Sequence, residues 1–349
     1  MRTIKRFPGA RVAVLFALAS TVGFTACRPQ AKAAFPAVSG PYLGQVPPGP
    51  GPALFAPGIV STGMYERDMA VTPDGKEIFY GLVAGRLATI MTTRLLDGRW
   101  TEPQVASFAA GPEYFNFEPC LAADGMRILF LSTRPPAGQA PRPGWGHQNI
   151  WAADRAGDGS WGEPYDLGAP VNTADGEFFP SLTRTGTLYF SRSKSGGESG
   201  IWRSEFRAGR FQEPVKLPDT VNGGGGIYNA CVSPDESFLV GCVNGRSDTL
   251  TPGAPNYYVF FRKPDGGWSE GINLGPAINA PGSQAIAPSV SADGKYFFFA
   301  SDRAPKDLFA APPALTLSRL QDIQNRPGNG SSDIYWADIR LVESLRPAK

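Results

Sequence analysis

Residues 287–303 read APSVSADGKYFFFASDR, and this stretch decides the fold. Two short apolar runs flank an Asp-Gly turn, a pattern that is typical of a β-hairpin. Similar text occurs four more times, as MAVTPDGKEIFYG at 69–81, PCLAADGMRILFLSTR at 119–134, PSLTRTGTLYFSRS at 180–193 and ACVSPDESFLVGC at 230–242. The chain is therefore predicted to contain five related hairpins.

The spacing of these copies indicates a ring of repeated sheets. Aligned on the turn, the copies place the same position at Gly75, Gly125, Gly186, Glu236 and Gly294, with intervals of 50, 61, 50 and 58 residues. Two further strand-like runs follow each of the first four hairpins, and the second run carries a Trp/Phe-x-Glu motif. These motif runs are RWTEPQVAS at 99–107, SWGEPYDLG at 160–168, RFQEPVKLP at 210–218 and GWSEGINLG at 267–275. Four strands per repeat at this period are typical of β-propeller blades.

The two ends of the chain predict how the ring closes. The last repeat stops after DIYWADIR at 333–340 and lacks the Trp-x-Glu strand, whereas PALFAPGIVSTG at 52–63 reads like that missing strand. We therefore expect residues 53–60 to form the outermost strand of the last blade, because closure removes exposed sheet edges. The propeller is predicted to span 53–342, with a C-terminal tail at 343–349.

Five copies predict an all-β fold of five four-stranded antiparallel blades, and side-chain size favours five over six. Four residues before the turn Asp position, every innermost strand carries a small residue, namely Ala70, Cys120, Ser181, Cys231 and Ser289. A five-bladed ring has a narrow channel that requires small residues. Six blades, the less favoured alternative, would leave a wider channel with larger ones. Long loops join the second and third strands, and the one at 304–332 is predicted to hold a short helix near 314–325.

The repeat resembles the TolB-type, WD-repeat-like propeller repeat of exported bacterial proteins. The resemblance is carried by SADGKYFFFASDR and AADGMRILFLSTR and covers about residues 53–342. It implies a propeller in the cell envelope. It does not imply an activity, because propellers host many unrelated ones.

The first 27 residues resemble a bacterial lipoprotein signal. A basic start precedes Val12–Phe24, an apolar stretch of 13 residues that is too short to span a bilayer as an ordinary helix. The tetrapeptide Phe24-Thr25-Ala26-Cys27 is similar to a lipobox, with Phe24 in place of the usual Leu. An ordinary cleaved signal that leaves Cys27 in a tail is the alternative.

The lipobox resemblance implies an exported, periplasmic lipoprotein that contacts the membrane through a lipid on Cys27. Arg28 follows the cysteine where inner-membrane lipoproteins typically have Asp, which favours an outer-membrane anchor. Residues 28–52 are rich in Pro and Gly and are predicted to be an extended tether.

Composition excludes several classes of function. The net charge of +2 gives no indication of a nucleic-acid partner. The single histidine, His147, argues against a multi-histidine metal site and against a Ser-His-Asp triad, so we expect no metal and no cofactor. Cys231 and Cys242 lie in one hairpin but out of register, and together with Cys120 they are predicted to be buried free thiols.

Repeat residues are predicted to be structural. We expect the turn aspartates to form turns, the repeated tryptophans to pack in the core, and Arg134, Arg192 and Arg303 to bond between strands or blades.

The candidate site is the channel mouth at the end where the chain enters each innermost strand. We call the five small residues of the innermost strands the small ring. Counting back from it in steps of two residues along each strand predicts two further rows of residues that face the channel. The ligand-binding candidates from these rows are Glu66, Asp68, Glu118, Glu177 and Asn229. Gathered like charges should raise the pKa of at least one carboxylate, most of all Glu118 beside Asp68. The loop at 135–148 adds Trp145 and His147 as an aromatic flank, and a solvated polar rim is the alternative interpretation.

Two functions follow from this site. The first is a non-enzymatic envelope module that binds a protein, peptide or glycan, and it assigns no catalytic residue. The second is a glycosidase-like enzyme, which would need acid and base carboxyl groups about 5–9.5 Å apart at the mouth. A peptidase is a third option, for which the chain would need a hydrolase domain besides the repeats.

Overall fold

The computed structural model describes residues 35–193, 199–305 and 314–347. Within them, five antiparallel sheets form the blades of a propeller, which confirms the predicted all-β, five-bladed fold. The compact unit begins at Ala37. No helix in these ranges has the length and apolar character needed to cross a membrane.

The strands of each blade are given from the channel outwards. Blade 1 consists of Tyr65–Val71, Glu77–Ala84, Leu87–Leu96 and Gln104–Val105, with Arg99–Trp100 also paired to its third strand. Blade 2 consists of Asn116–Leu121, Arg127–Ser132, Asn149–Asp154 and Tyr165–Asp166. Blade 3 consists of Gly176–Leu182, Leu188–Ser193, Ser199–Ser204 and Val215–Lys216, with a small hairpin of Phe206–Arg207 and Arg210–Phe211. Blade 4 consists of Ile227–Val232, Phe238–Val243, Asn256–Phe261 and Ile272–Asn273. Blade 5 consists of Ser289–Val290, Tyr296–Ser301, Asp333–Asp338 and Ala53–Leu54.

The ring closes as predicted, because the N-terminal strand is the outermost strand of blade 5. Ala53 pairs with Trp336, and the Phe55 N–H donates to the Ile334 carbonyl at 2.8 Å. Ser61 Oγ donates to the same carbonyl at 3.1 Å. Only Ala53–Leu54 of the predicted 53–60 is a regular strand. We call the contact of 53–66 with 328–336, between blades 5 and 1, the closing seam.

The five hairpin turns have the common backbone that the repeat predicts. Their residues are Gly75, Gly125, Gly186, Glu236 and Gly294, and all five have a positive φ, between 61° and 85°. Glycine reaches this region without a steric cost, which explains why four of the five positions carry it. This end of the molecule is called the turn end, and the opposite end, with the loops between second and third strands, is called the loop end.

The innermost strands contain a bulge that the repeat pattern did not reveal. Pairing with the second strand shifts by one residue in each of blades 1 to 4. The extra residues are Asp68, Glu118, Phe179 and Asn229, with φ values of 55°, 61°, 54° and 46°. A left-handed conformation is uncommon for residues other than glycine. Because it recurs at the same position in four blades, the bulge is a regular part of the blade structure. On the N-terminal side of the bulge, simple alternation therefore no longer predicts which side chains face the channel.

Residues 38–45 pack on the propeller, which corrects the prediction of a tether through 28–52. The Trp100 indole donates to the Gly40 carbonyl at 2.7 Å, and the Tyr42 N–H donates to the Gly75 carbonyl at 3.0 Å. The Tyr42 ring lies edge-on to Tyr296 at 5.1 Å, and Leu43 is buried. These two apolar side chains gain stability by burial, which the Pro and Gly content of the segment obscured. Residues 28–34 lie outside the described ranges.

The end of the chain also packs rather than forming a free tail. The helix Arg340–Glu343 buries Val342 in the blade 4 and blade 5 core, and Leu345 packs against the same cluster. The Arg346 guanidinium lies 4.5 Å from the centre of the Phe261 ring. The predicted tail at 343–349 is therefore corrected for residues up to Arg346.

Short helices interrupt the connections between strands. The predicted helix near 314–325 is found at Leu317–Gln324. Besides Arg340–Glu343, the other helical segments in the described part of the chain are Tyr42–Gly44, Ser107–Ala109 and Asp219–Asn222.

The three cysteines of the propeller are free thiols, as predicted; Cys231 and Cys242 are buried, as expected, whereas Cys120 is only half-buried. Cys231 lies opposite Val240 and Cys242 lies opposite Tyr228, so the two thiols are out of register. Burial raises the pKa of Cys120 to about 12 and that of Cys231 to about 11. The thiols are therefore protonated and weakly reactive at neutral pH.

Candidate functional site

The central channel is narrow because small residues line it. Its cavity has a volume of about 90 Å³, and the lining includes Ala70, Cys120, Ser181, Cys231 and Ser289, the small ring that the sequence predicts. Small-molecule sites generally enclose about 300–1,000 Å³. The channel can hold a few water molecules but not a sugar ring.

Two of the predicted acidic residues meet at one end of this cavity, and an arginine bridges them. Asp68 and Glu118 line the cavity and are only 4% and 6% exposed. Arg67 Nε lies 2.9 Å from Asp68 Oδ2, and Arg67 Nη2 lies 3.1 Å from Glu118 Oε1. Sequence reasoning missed Arg67, because strict alternation places its side chain on the face opposite to Asp68. The bulge at Asp68 was the feature that could have corrected this.

The same carboxylates connect neighbouring blades. Asp68 Oδ2 accepts a hydrogen bond from the Glu118 N–H at 3.2 Å, and Glu118 Oε2 accepts one from the Phe179 N–H at 2.7 Å. The Asn229 amide donates to the Ile286 carbonyl of blade 5. The bulge thus aims these side chains at the backbone of the next blade. Asp68 Oδ1 is buried and, in the part of the chain that the structure describes, has no hydrogen-bond partner.

The pKa of Glu118 is raised, as the sequence predicts, but mainly for a different reason. Burial is the largest cause; Arg67 lowers the pKa and the nearby Asp68 carboxylate raises it further. Burial also raises the pKa of Asp68 against the opposing effect of Arg67. The desolvation of a charge in the narrow channel outweighs the like charge that the sequence suggested.

Glu66 and Glu177 do not belong to the channel mouth, which corrects their predicted position. Neither lines the cavity, and both are fully buried. Glu177 accepts from Thr173 Oγ1 at 2.6 Å and pairs with Arg192 Nε at 2.9 Å. Glu66 accepts from Thr62 Oγ1 at the closing seam. Both precede the bulge, so period-2 counting from the small ring does not apply to them.

Trp145 is on the surface beside this cluster, whereas His147 is not. Trp145 is 52% exposed and stacks on Phe117, with ring centres 5.8 Å apart and an interplanar angle of 17°. Phe115 packs against the same indole at 5.1 Å. We call Phe115, Phe117 and Trp145 the aromatic platform. His147 is buried, and its Nε2 lies 2.8 Å from the Ala140 carbonyl, so it holds the loop together instead of forming a surface flank.

The platform is continuous with the buried charges. The Arg67 guanidinium lies 5.0 Å from the centre of the Phe117 ring, on which Trp145 stacks. A cation beside an aromatic ring is attracted by the negative face of the ring. The structure therefore brings together Asp68, Glu118 and Trp145 from the predicted site, through Arg67 and Phe117.

The repeat arginines are structural, as expected. Arg134 donates to the Phe108 carbonyl at 2.7 Å, and Arg192 donates to the Val171 carbonyl at 2.8 Å. Arg303 donates to the Ile278 carbonyl at 2.5 Å. Within the described ranges, no group of three or more His, Cys, Asp or Glu residues is arranged to hold a metal ion.

No protein-family model matches the chain, and no curated protein matches it. Solved structures to which it is similar include TolB from Acinetobacter baumannii, with 18% identity over 68% of this chain and 49% of that chain and a TM-score of 0.44. The chain thus spans about half the length of that TolB structure. They also include a gluconolactonase from Xanthomonas campestris, with 14% identity over 78% and 84% of the two chains and a TM-score of 0.44.

A third similar structure is the catalytic domain of an α-L-arabinofuranosidase from Coprinopsis cinerea, with 9% identity over 86% of this chain and 96% of that one and a TM-score of 0.44. Likeness at these levels is shared by proteins of different activity and assigns none. By its own sheets, the chain is a five-bladed β-propeller.

Proposed function

We propose that the protein is a non-enzymatic interaction module of the cell envelope, and that it binds a protein, peptide or glycan through the aromatic platform. The observation that carries this proposal is the half-exposed indole of Trp145, supported from below by the buried ring of Phe117. A large aromatic side chain that is already held in place loses little conformational entropy on binding. For this reason Trp is enriched among the residues that dominate binding energy.

Neighbouring groups on the loop end extend the platform. Leu87, the first residue of the third strand of blade 1, is 52% exposed, and Val83 and Phe178 pack around Phe117. The apolar surface therefore extends from blade 1 towards blade 3. It suits a partner that presents aromatic or aliphatic groups.

The arrangement of the carboxylates supports binding over glycoside hydrolysis. Both oxygens of Glu118 are engaged, by Arg67 and by the Phe179 N–H, and Asp68 Oδ2 is engaged by Arg67 and the Glu118 N–H. A glycosidase needs one carboxyl group free to protonate the leaving oxygen and a second free to act as base or nucleophile. A cavity of about 90 Å³ leaves no room for the sugar between them.

The proposed location rests on the N-terminal sequence. A lipid on Cys27 would hold the propeller at the outer membrane, within the periplasm. This assignment derives from the lipobox resemblance, and it is tested separately from the binding site.

The binding proposal is tested by capture from envelope extracts with immobilised protein. Trp145→Ala should weaken binding of the captured partner about tenfold, which corresponds to about 1.4 kcal/mol. Met126→Ala is the matched control, because Met126 is 45% exposed but lies beside a hairpin turn at the turn end. Equal capture by the folded Trp145→Ala variant and the wild type would place the binding surface elsewhere.

A further inference from the structure

Blades 1 and 3 carry the same Thr–Glu pair at the start of the innermost strand, but only blade 3 supplies a cation to it. In blade 3, Glu177 accepts from the Thr173 N–H at 3.0 Å and from Thr173 Oγ1 at 2.6 Å. Arg192, directly opposite Glu177 on the second strand, completes the site with its Nε at 2.9 Å. The Glu177 carboxylate thus has two donors from Thr173 and a cation from Arg192 inside the blade.

Blade 1 retains the threonine and lacks the arginine. Thr62 Oγ1 donates to Glu66 as Thr173 does to Glu177, but the residue opposite Glu66 is Leu82. Glu66 is fully buried, and its Oε2 has no hydrogen-bond partner among the residues that the structure describes. A buried carboxylate without a partner is costly, so this oxygen requires an explanation.

A second unpartnered carboxylate lies across the closing seam. Asp333 of blade 5 is 1% exposed; its Oδ2 accepts from the Gly328 N–H at 2.8 Å, and within the described ranges its Oδ1 has no partner. Glu66 is hydrogen-bonded to Ser332, the residue directly before Asp333. The Glu66 N–H donates to the Ser332 carbonyl at 2.8 Å, and Ser332 Oγ donates to the Glu66 carbonyl at 2.8 Å. Burial is the main cause that raises the pKa of Glu66, and the negative charge of Asp333 raises it further.

We propose that the closing seam binds one small hard cation of the Ca²⁺ class, with Glu66 Oε2 and Asp333 Oδ1 as its carboxylate ligands. Ca²⁺ takes about six to eight oxygen ligands, so the two carboxylates would supply part of the shell and hydroxyl, carbonyl or water oxygens the rest. The ion takes the part that the Arg192 guanidinium plays in blade 3. It joins blade 1 to blade 5 where the ring is closed, and it is independent of the aromatic platform.

The test is thermal unfolding of the chelator-treated, full-length protein at pH 7.5, with and without CaCl₂. A ligand that binds only the folded state raises its stability by mass action, so saturating Ca²⁺ should raise the unfolding midpoint of the wild type by about 5 °C. Glu66→Gln and Asp333→Asn should each abolish this increase. Glu177→Gln is the matched control, and it should retain the full Ca²⁺ response although it loses its own ion pair with Arg192.

Calorimetric titration of the same four proteins should give one Ca²⁺ site per chain in the wild type and in Glu177→Gln only. The proposal is overturned if the wild type shows no saturable response to Ca²⁺. It is equally overturned if Glu66→Gln and Asp333→Asn respond as the wild type does. A wild type that is unresponsive to Ca²⁺ and is stabilised at pH 7.5 by Glu66→Gln would show that the seam holds a proton instead.

Discussion

Glu118 of blade 2 accepts a 2.7 Å hydrogen bond from the backbone N–H of Phe179 in blade 3. Asp68 of blade 1 does the same for the N–H of Glu118, at 3.2 Å. Each donor N–H belongs to a bulge residue with positive φ, so the bulge presents to the neighbouring blade a donor that a regular strand would direct into its own sheet. The sequence suggests Asp68 and Glu118 as binding residues, and the structure shows that their carboxyl groups also join neighbouring blades.

The pH dependence of stability follows from the raised pKa of Glu118. Its folded pKa of about 8 lies above the ordinary value of 4.5, so the folded state binds more protons than the unfolded state between these values. The free energy of unfolding should therefore fall as pH rises from about 5 to about 8, by on the order of 3 kcal/mol. Urea unfolding across this pH range measures the slope.

Glu118→Gln should reduce that slope, because the amide does not titrate and its oxygen still accepts from the Phe179 N–H. Glu213→Gln, at an exposed position, is the control and should leave the slope unchanged. A slope in Glu118→Gln as steep as in the wild type would contradict the assignment.

Ring closure should depend strongly on Phe55. This side chain is fully buried, with its ring centre 5.4 Å from that of Phe298 and 5.2 Å from that of Trp336. Phe55→Ala should lower the free energy of unfolding by about 3–4 kcal/mol and broaden the unfolding transition. Val46→Ala, at a residue that is 86% exposed, should change it by less than about 0.5 kcal/mol. Comparable effects of the two substitutions would show that the strand contributes little to closure.

The packing of residues 38–45 should depend on the indole of Trp100. Trp100→Phe removes the hydrogen bond to the Gly40 carbonyl and should cost about 1 kcal/mol. Limited proteolysis should then cleave within residues 35–52 faster than in the wild type. Trp161→Phe is a matched control, since Trp161 is buried in another blade and its Nε1 has no partner. If both variants are cleaved alike, the segment is not held through Trp100.

Lipidation is predicted at Cys27 and at no other cysteine. Cys27→Ala should abolish incorporation of a labelled fatty acid and release the protein from the membrane fraction. Cys120→Ala should label as the wild type does, because Cys120 lies in the propeller channel. Undiminished labelling of Cys27→Ala would refute the lipobox interpretation.

The fold could be predicted because its information is local and repeated. Turn residues such as Gly75 and Gly294 determine each hairpin, and the missing last strand is visible from the chain ends alone. The site was only partly predictable. Trp145 was recognised because it lies in an insertion outside the repeat, and its exposure agrees with that interpretation.

The errors have a single physical origin in most cases. One additional residue per innermost strand, such as Asp68, changes which side chains face the channel, and no composition or spacing signal marks it. Arg67 was therefore missed, and Glu66 and Glu177 were wrongly predicted to face the channel mouth. His147 was misjudged for another reason: a loop residue can be buried by its own loop, as the bond to the Ala140 carbonyl shows.

The closing strand also determines the order of folding. Ser61 and Ile334 are hydrogen-bonded although 273 positions separate them, so this contact cannot form until nearly the whole chain is available. Blades 1 to 4 can assemble from local contacts, whereas blade 5 has to wait with the edge of Asp333–Asp338 unpaired. Until the chain's own N-terminal segment pairs with this edge, the same segment of a second copy can pair with it instead. Concentrated refolding should therefore yield dimers with exchanged strands, and dilution should favour the closed monomer.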